Sequence, residues 1–209
     1  DRFETQLWNW VGALRPLYDA GVGVYVCRGN HEVGDAWRVD PNGPPPPPDN
    51  HARRWLNVFG SDEHPELRLP DNGPEGERHM TYAVTHRNAL VVAVDQYAGT
   101  WHRPVHFVNQ PWLDSQLETC TKPPVFVLGH EPAFRTYHQD CLDAHPDRRD
   151  AFWRSLQRAG ARVYTCGHDH YYDHARIDDS DGDPNNDTHQ LIVATAGAPS
   201  YSWIPPYRG

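Results

Sequence analysis

Near the start of the chain, apolar side chains recur at helical spacing, at Leu7, Trp10, Val11, Leu14, Leu17 and Tyr18. This spacing predicts an amphipathic helix that ends near Gly21, with Pro16 placed to kink or shorten it. The next apolar run, residues 23–27, is short and rich in β-branched and aromatic side chains, which predicts a buried strand. A helix followed by a strand is half of an α/β repeat.

Between about residues 33 and 80 the pattern becomes irregular. Residues 44–48 are consecutive prolines, which predict an exposed polyproline II segment. A ligand for SH3-like partners and a rigid surface insertion are both compatible with this run. Within this stretch, residues 51–59 carry the pattern of a short helix. We therefore predict an irregular, proline-rich excursion over residues 33–80.

Regular patterns return after residue 80. Two runs, residues 81–85 and 89–95, flank a turn at residues 86–88 and predict a β-hairpin. Further predicted helices cover residues 111–117 and 149–159, and further predicted strands cover residues 124–128, 162–166, 174–177 and 190–195. Strands mixed with helices and a hairpin predict a single α/β domain over residues 1–209, with layered sheets.

Composition and charge narrow the class of protein. The 209 residues carry 28 acidic and 19 basic side chains, for a formal net charge of −9. They contain no Lys/Arg run that could follow a nucleic-acid backbone, so no nucleic-acid-binding patch is expected. No apolar stretch approaches the roughly 18–20 residues of a membrane helix, so no membrane segment is expected. An acidic chain still binds anionic phosphate esters when metal ions supply the positive charge.

The four cysteines and the first residues leave the cellular compartment open. Cys27 and Cys166 lie in apolar, strand-like runs and are expected to be buried thiols, whereas Cys120 and Cys141 are compatible with either free thiols or a disulfide. Residues 1–5 are polar and lack a signal-peptide pattern.

Three short apolar runs end in similar polar motifs. Residues 24–27 lead into Gly-Asn-His-Glu at 29–32, residues 125–128 lead into Gly-His-Glu-Pro at 129–132, and residues 163–166 lead into Gly-His-Asp-His at 167–170. Each motif taken singly is a weak signal, since a lone Gly-His-x-Pro is more often a turn than a metal site. All three in order, each at the end of a predicted strand, favour a shared site.

The chemistry of these motifs is that of a metal site. In open α/β sheets, ligands collect beyond the carboxyl ends of the strands. Glycine leaves room for the backbone to turn where a strand stops. Neutral imidazoles with amide oxygens suit Zn, Mn or Fe rather than a thiolate-bound ion. His168 and His170 are two residues apart, so on a turning backbone they can serve two neighbouring ions.

These motifs resemble the last three of five signature blocks of the calcineurin-like, binuclear metallophosphoesterases, and the Glu after Gly-Asn-His resembles the purple acid phosphatase-like and bacterial phosphatase branch. The resemblance implies an α/β fold of two mixed β-sheets packed as a sandwich and flanked by helices. It implies that Asn30, His130 and His168 ligate one metal ion and that His170 ligates a second. His31 would be the non-ligating, catalytic histidine near the leaving-group oxygen. The implied cofactors are divalent or trivalent Fe, Zn or Mn, two in the complete enzyme.

Two of the family's blocks have no match ahead of Gly-Asn-His, where the family carries them: the first, Asp-x-His on the first strand, and the second, Gly-Asp, which supplies a bridging aspartate. We expect the chain to begin just after them, because its first predicted helix corresponds to the one that precedes Gly-Asn-His. Asp1 is compatible with either the bridging role or a polar residue before a helix. The resemblance runs to about Ala198 and favours a periplasmic or extracellular location.

Other candidate residues lie in loops. Oxygen donors alternate through an acidic stretch at Asp179, Asp181, Asp183, Asn185 and Asp187, which is compatible with a calcium loop, with Asp179, Asp181 and Asp183 as its candidate ligands, or with an acidic surface loop. The stretch lacks a Glu at EF-hand spacing. The side chains of Asp35, His51, His64 and His138 are compatible with the lining of a substrate cleft, but solvated surface is the simpler expectation for each.

The function expected from these features is metal-dependent hydrolysis of a small-molecule phosphoric mono- or diester. Adjacent ions polarise the phosphoryl oxygens and activate water, while His31 protonates the departing alkoxide or orients a ligand. The rival expectation is a non-catalytic remnant of the fold that acts as a binding or structural module. The absent blocks favour this rival, and the retention of clustered ligands argues against it. The ester, the native metals and the oligomeric state are not specified by the sequence.

Overall fold

The computed structural model describes residues 2–37, 50–97, 106–119, 124–194 and 197–202; for residues 34–37 and 50 it describes the backbone alone. Helix α1 spans Arg2–Asp19, followed by a 3-10 segment Asn30–Trp37, helix α2 (Asn50–Phe59), and strands β1 (Tyr82–His86) and β2 (Ala89–Ala93). Helix α3 (Gln110–Glu118), strand β3 (Val125–Leu128), a 3-10 turn (Leu142–Ala144) and helix α4 (Pro146–Arg158) come next. Strands β4 (Ala161–Cys166), β5 (Tyr172–Ile177) and β6 (Thr188–Val193) complete the order. None of the described helices is long and apolar enough to span a membrane.

The helices and hairpins predicted from periodicity are confirmed. Helix α1 continues through Pro16, and Gly21 then closes it with a positive φ of 70°. The amide of Val22 donates to the carbonyl of Leu17, and that of Gly21 donates to Tyr18, as in a Schellman cap. Gly160, with φ 65°, follows helix α4 at the position expected for its cap.

The described strands form one mixed sheet in the order β1-β2-β3-β4-β6-β5. Strands β2, β3, β4 and β6 run parallel, and the edge strands β1 and β5 are antiparallel to their neighbours. The α/β class is therefore confirmed, with helices flanking a mixed sheet. The expected sandwich partner, a second sheet, is not among the described residues. The face of β3 and β6 opposite helices α3 and α4 carries exposed apolar side chains, Phe126 and Val193.

Two hydrophobic clusters hold the layers together. Helices α3 and α4 pack on one face of the sheet through buried side chains such as Leu113, Phe152 and Leu156. Helices α1 and α2 pack near the β1–β2 end of the sheet, where Tyr82 and Ala93 join their cluster. Successive strand residues point to opposite faces, so neighbouring residues of β1 and β2 enter different clusters.

The segment from residue 50 to residue 80, which belongs to the predicted excursion, contributes side chains to this second cluster. Trp55, Phe59, Leu67 and Leu69 are buried, and the indole of Trp55 donates to the carbonyl of His79 at 3.0 Å. The proline run at 44–48 lies outside the described residues.

The predicted strand at residues 23–27 is wrong for the described structure, in which this segment has no strand assignment. Its backbone is held instead by a side chain: the hydroxyl of Tyr82 accepts from the amide of Val26 at 2.8 Å and donates to its carbonyl at 2.7 Å. A β-rich apolar run becomes a strand only when a neighbouring strand pairs with it, and no described strand does so here. The segment is nevertheless fixed in place.

The expected thiols are confirmed in part. Cys166 is buried and Cys27 is half-buried, and both are free. Cys141 is buried, with its Sγ 3.6 Å from the carbonyl of His138. Cys120 lies outside the described residues, but Cys141 is a free thiol, so the structure shows the free-thiol alternative for Cys141 rather than the disulfide.

Candidate metal centre

The turns that follow β3 and β4 lie side by side, since these strands are parallel neighbours. The amide of Gly129 donates to the carbonyl of Thr165 at 3.0 Å, and the amide of Gly167 donates to the carbonyl of His130 at 2.8 Å. These bonds extend the pairing of the strands into the turns. They bring His130 and His168, which are 38 residues apart, to the same point of the sheet edge.

Asn30 reaches that point from the segment after α1. The buried guanidinium of Arg28 pairs with the buried carboxylate of Asp95 just after β2, with Nε 2.6 Å from Oδ2. Within the turn, the Glu32 carboxylate accepts from the amide of Gly29 at 2.8 Å. The third motif is thus tied to the same edge of the sheet although it follows no strand.

The three predicted ligand atoms converge. The Nε2 of His130 lies 3.0 Å from the Oδ1 of Asn30 and 3.2 Å from the Nδ1 of His168. Two atoms that share one ion at about 2.0–2.2 Å are about 3.0–3.5 Å apart at octahedral to tetrahedral angles. The spacing and the donor set therefore fit a single Zn, Mn or Fe ion.

The protonation of the two imidazoles also fits a cation. Burial, followed by the nearby His168, His31, His170 and His138, lowers the pKa of His130 to about 3. Burial and then His138 lower the pKa of His168, although Asp140 opposes that shift. Neutral imidazoles are the form that binds metal. The remaining nitrogen of His168, Nε2, is buried and 3.5 Å from the Oδ1 of Asp140, which places a carboxylate behind a candidate ligand.

Two of the motif glycines are required by close approach. A Cβ on Gly29 would lie 2.6 Å from the Nδ1 of His130, and a Cβ on Gly129 would lie 2.5 Å from both the amide of Gln96 and the hydroxyl of Tyr164. Neither glycine has a positive φ, so the expected sharp turn is not the reason for them. Positive φ instead occurs at His168 itself, at 68°, a conformation that is strained for a residue with a Cβ.

His170 does not join this group. Its Nδ1 is 3.0 Å from the carbonyl oxygen of Pro199, and its ring stacks on Tyr201 with centroids 4.3 Å apart. This leaves Nε2 as its free nitrogen. The structure thus brings together the ligands predicted for one ion, and it directs the ligand predicted for the other ion, two residues after His168 on the same turn, toward Pro199 and Tyr201.

His31 is exposed at the edge of the centre. It lines a cleft of about 520 Å³ together with side chains of α1, α2 and residues 26–32, among them Trp10, Cys27 and Phe59. It is close enough to His130 to contribute to the lowered pKa of that residue. Its exposure and its position next to Asn30 are compatible with contact to a substrate rather than to the ion.

The structure adds His138 to the site, although this residue was expected to belong to the solvated surface. The ring of His138 is 4.4 Å from that of His168, centroid to centroid. The buried carboxylate of Asp169 fixes the position of His138. Its Oδ1 accepts from the Nδ1 of His138 at 2.7 Å and from the amide of His138 at 3.1 Å. Its Oδ2 accepts from the hydroxyl of Thr136 at 2.5 Å and from the amide of Tyr137 at 3.0 Å. The sequence offered one signal for the pairing of Asp169 with His138, namely the Asp inside the Gly-His-Asp-His motif. It did not indicate the partner, because His138 lies 31 residues away from Asp169.

The other loop candidates lie elsewhere. His51 stacks on Phe3 at 4.3 Å and His64 contacts Trp8 edge-on at 4.9 Å, so both belong to the layer of α1 and α2. The side chain of Asp35 lies outside the described residues.

The acidic stretch does not gather the carboxylates of Asp179, Asp181 and Asp183. Among the described residues, the acidic group close enough to share a cation is Asp178, Asp179 and Asp187. Asp187 is also 3.4 Å from the guanidinium of Arg176, which competes with a cation. The calcium interpretation of this loop stays a prediction, with a changed ligand set.

A mixed α/β sheet whose strand ends present two imidazoles beside the amide oxygen of Asn30, which comes from the 3-10 segment, defines a protein with a candidate metal centre. The chain belongs to the calcineurin-like phosphoesterase family, whose model matches residues 4–172. This confirms the resemblance carried by the three motifs. No curated protein matches the sequence significantly.

PhoD and GAP50 are among the proteins whose solved structures are similar to the chain. The structure of PhoD aligns with a TM-score of 0.55 and 13% identity, over 81% of this chain and 39% of PhoD. GAP50, the anchor in the inner membrane complex of Plasmodium, aligns with a TM-score of 0.45 and 15% identity, over 70% of this chain and 45% of GAP50. The chain therefore spans less than half the length of each, and the likeness to PhoD supports the fold alone.

Proposed function

We propose that this chain forms the metal centre of a hydrolase that cleaves phosphoric mono- or diesters. The observation that carries the proposal is the approach of Asn30 Oδ1 and His168 Nδ1 to His130 Nε2, at 3.0 and 3.2 Å. Membership of the calcineurin-like phosphoesterase family supports phosphoester hydrolysis as the chemistry done at such a centre.

Asn30, His130 and His168 would hold the ion, for which Fe, Zn and Mn suit the donors. When bound, the ion supplies Lewis acidity to phosphoryl oxygens and lowers the pKa of water. His170 is the ligand that the family resemblance assigns to a second ion, and the binuclear form is part of this proposal. Within the described residues no second group of donors surrounds His170.

The proposed roles of the remaining residues follow from where they lie. His31, exposed beside Asn30, would donate an imidazole proton to the departing alkoxide oxygen. His138 would contact a substrate oxygen through Nε2, because its Nδ1 is held by Asp169 at 2.7 Å. Asp169 would position His138 and would not react itself.

The test is turnover of 4-nitrophenyl phosphate and bis(4-nitrophenyl) phosphate by the full-length gene product loaded with Mn²⁺, Zn²⁺ or Fe²⁺. We expect nitrophenol release that a chelator abolishes and that His168→Ala removes. Cleavage of carboxylic esters or peptides without cleavage of either phosphate ester would contradict the proposal.

A second candidate is a non-catalytic binding or structural module. It is favoured by the position of His170, whose Nδ1 lies against Pro199 and whose ring is covered by Tyr201. A metal-replete, full-length protein that retains one ion and cleaves no ester would support this candidate.

A further inference from the structure

A stack of aromatic rings leads from the metal centre to the surface. The ring of His170 lies 4.3 Å from that of Tyr201, at an interplanar angle of 22°, and the ring of Tyr201 lies 4.7 Å from that of Tyr137, at 28°. His138 packs edge-on against both tyrosines, with centroids at 5.1 and 5.4 Å. Its other neighbour is His168, so a single ring separates Tyr137 from a candidate ligand.

The stack is anchored by the backbone of the site. The amide of Tyr137 donates to the Asp169 carboxylate at 3.0 Å, and the amide of Tyr201 donates to the carbonyl of His170 at 2.9 Å. Both tyrosines are therefore fixed to the Gly-His-Asp-His turn, although one lies in the loop after β3 and the other follows β6. Their position relative to the ligands is set before any substrate arrives.

The outer ring of the stack remains accessible. Tyr137 is 43% exposed, although its ring is packed against Tyr201 and His138. A tyrosine that served only to close the fold would be expected to bury more of its surface. Rigid, partly exposed tyrosines with one ring face available are instead typical of recognition surfaces, because they lose little conformational entropy on binding.

Tyr172 provides an internal comparison. It lies two residues after His170 and is 64% exposed, but it has no ring contact among the described residues. Exposure alone is therefore not what distinguishes Tyr137. The distinguishing features are the ring behind it and its tie to Asp169.

We propose that Tyr137, backed by Tyr201, forms a stacking subsite for a planar ring in the alcohol part of the substrate. This inference rests on the proposed function, since the phosphoryl group of the same ester would occupy the metal centre. It names a substrate class, esters of aromatic or heteroaromatic alcohols, in preference to esters of saturated alcohols of the same size.

Phosphonates test the subsite without requiring turnover. Phenylphosphonate and cyclohexylphosphonate have the same anionic group and a six-membered ring of similar size, but only phenyl is planar and aromatic. Dissociation constants of both are measured by calorimetry on the Mn²⁺-loaded chain. We expect phenylphosphonate to bind about fivefold more tightly, the order expected of one aromatic stacking contact.

Three variants separate stacking from other effects. Tyr137→Leu should remove the preference for phenyl and leave the affinity for cyclohexylphosphonate within about twofold. Tyr137→Phe keeps the ring and should keep the preference, and Tyr172→Leu, which changes an exposed tyrosine outside the stack, should also keep it.

The outcomes are decisive for each proposal separately. If both phosphonates bind equally to the unaltered chain, or if Tyr137→Leu weakens both to the same extent, the stacking subsite is wrong while the metal centre stands. If neither phosphonate binds the Mn²⁺-loaded chain, the proposed function is wrong, and the stacking subsite, which rests on that function, is wrong as well.

Discussion

Two regions of this molecule are rich in metal-ligating side chains, yet they are organised in opposite ways. In the turns after β3 and β4 and in the 3-10 segment, the oxygen of Asn30 and nitrogens of His130 and His168 face one another. In the acidic loop, the carboxylates accept from their own backbone: Asp179 from the amide of Asp181, Asp181 from that of Asp183, and Asp183 from that of Asn185.

The difference shows that the availability of donor atoms matters more than their number. Hydrogen bonds from Asn186 and from the amide of Asp183 lower the pKa of Asp181, so its charge is already stabilised by the loop in open solvent. The buried imidazoles have lowered pKa values mainly because of burial, and His130 Nε2 lies 3.0 Å from Asn30 Oδ1 and 3.2 Å from His168 Nδ1. A cation bound by these three atoms would replace the contacts among them, whereas the carboxylates of the acidic loop already have backbone partners.

The largest expected effect is on metal binding. His168→Ala removes a proposed ligand and should strip the ion from the chain, whereas Asp181→Asn in the acidic loop should leave the metal content unchanged. Elemental analysis after gel filtration measures both. If the His168→Ala variant keeps its metal and the Asp181→Asn variant loses metal, the acidic loop and not the histidine group is the metal site.

The second effect separates the proposed acid from the ligands. His31→Ala should lower kcat of the full-length protein by about 10²–10⁴, the usual contribution of a positioned acid. Its metal content should stay close to that of the unaltered protein, because His31 is exposed beside the ligand group. Loss of metal equal to that of His168→Ala would make His31 a ligand.

The third effect concerns the glycines that admit the ligands. A methyl group on Gly29 would meet the imidazole of His130 at 2.6 Å, whereas one on Gly167 finds its nearest atom at 3.7 Å. Gly29→Ala should therefore weaken metal affinity by about 10–100-fold, the range seen when the support of a ligand is disturbed. Gly167→Ala, the matched control, should bind the ion normally in competition with a fluorescent chelator.

The smallest effect is on stability as a function of pH, in the presence of a chelator. His130 stays neutral in the folded chain down to about pH 3, but an unfolded histidine binds a proton near its ordinary pKa of about 6.5. Stability should be unaffected by this group above about pH 6.5 and should fall by up to about 1.4 kcal/mol per pH unit below it.

Urea unfolding of His130→Gln at several pH values checks this slope, with His86→Gln at the exposed end of β1 as a control. The His130 variant should lose part of the acid sensitivity, and the His86 variant should keep it. Identical slopes in all three proteins would contradict the account of His130 as a buried, neutral imidazole.

The elements with strong periodicity were predictable from sequence, and so was the meeting of the candidate ligands at one edge of the sheet. Helix α4 and strands β3 and β4 formed as expected because local pattern and tertiary packing agree there. The prediction of a strand at residues 23–27 was wrong because a strand forms only beside a neighbouring strand, and no local pattern shows whether one is present. The hydroxyl of Tyr82, 56 residues away, holds that backbone instead.

The surroundings of the ligands were not predictable in the same way. His138 has the sequence context of a polar loop, and only the long-range bond to Asp169 places it beside His168. The aromatic stack likewise joins residues 64 positions apart, Tyr137 and Tyr201. Motif spacing reports what lies along the chain, whereas these contacts depend on how separate loops meet.

The number of ions bound by the 209 residues tests the central claim most directly. The chain is loaded with excess Mn²⁺ or Zn²⁺, freed of unbound metal by gel filtration, and assayed for metal per chain. Because three donors converge at Asn30, His130 and His168 while His170 stands apart, we expect close to one ion per chain, none in His168→Ala, and very weak or absent phosphatase turnover. Two tightly held ions per chain, near-normal turnover, or a full complement of metal in the His168 variant would contradict the account.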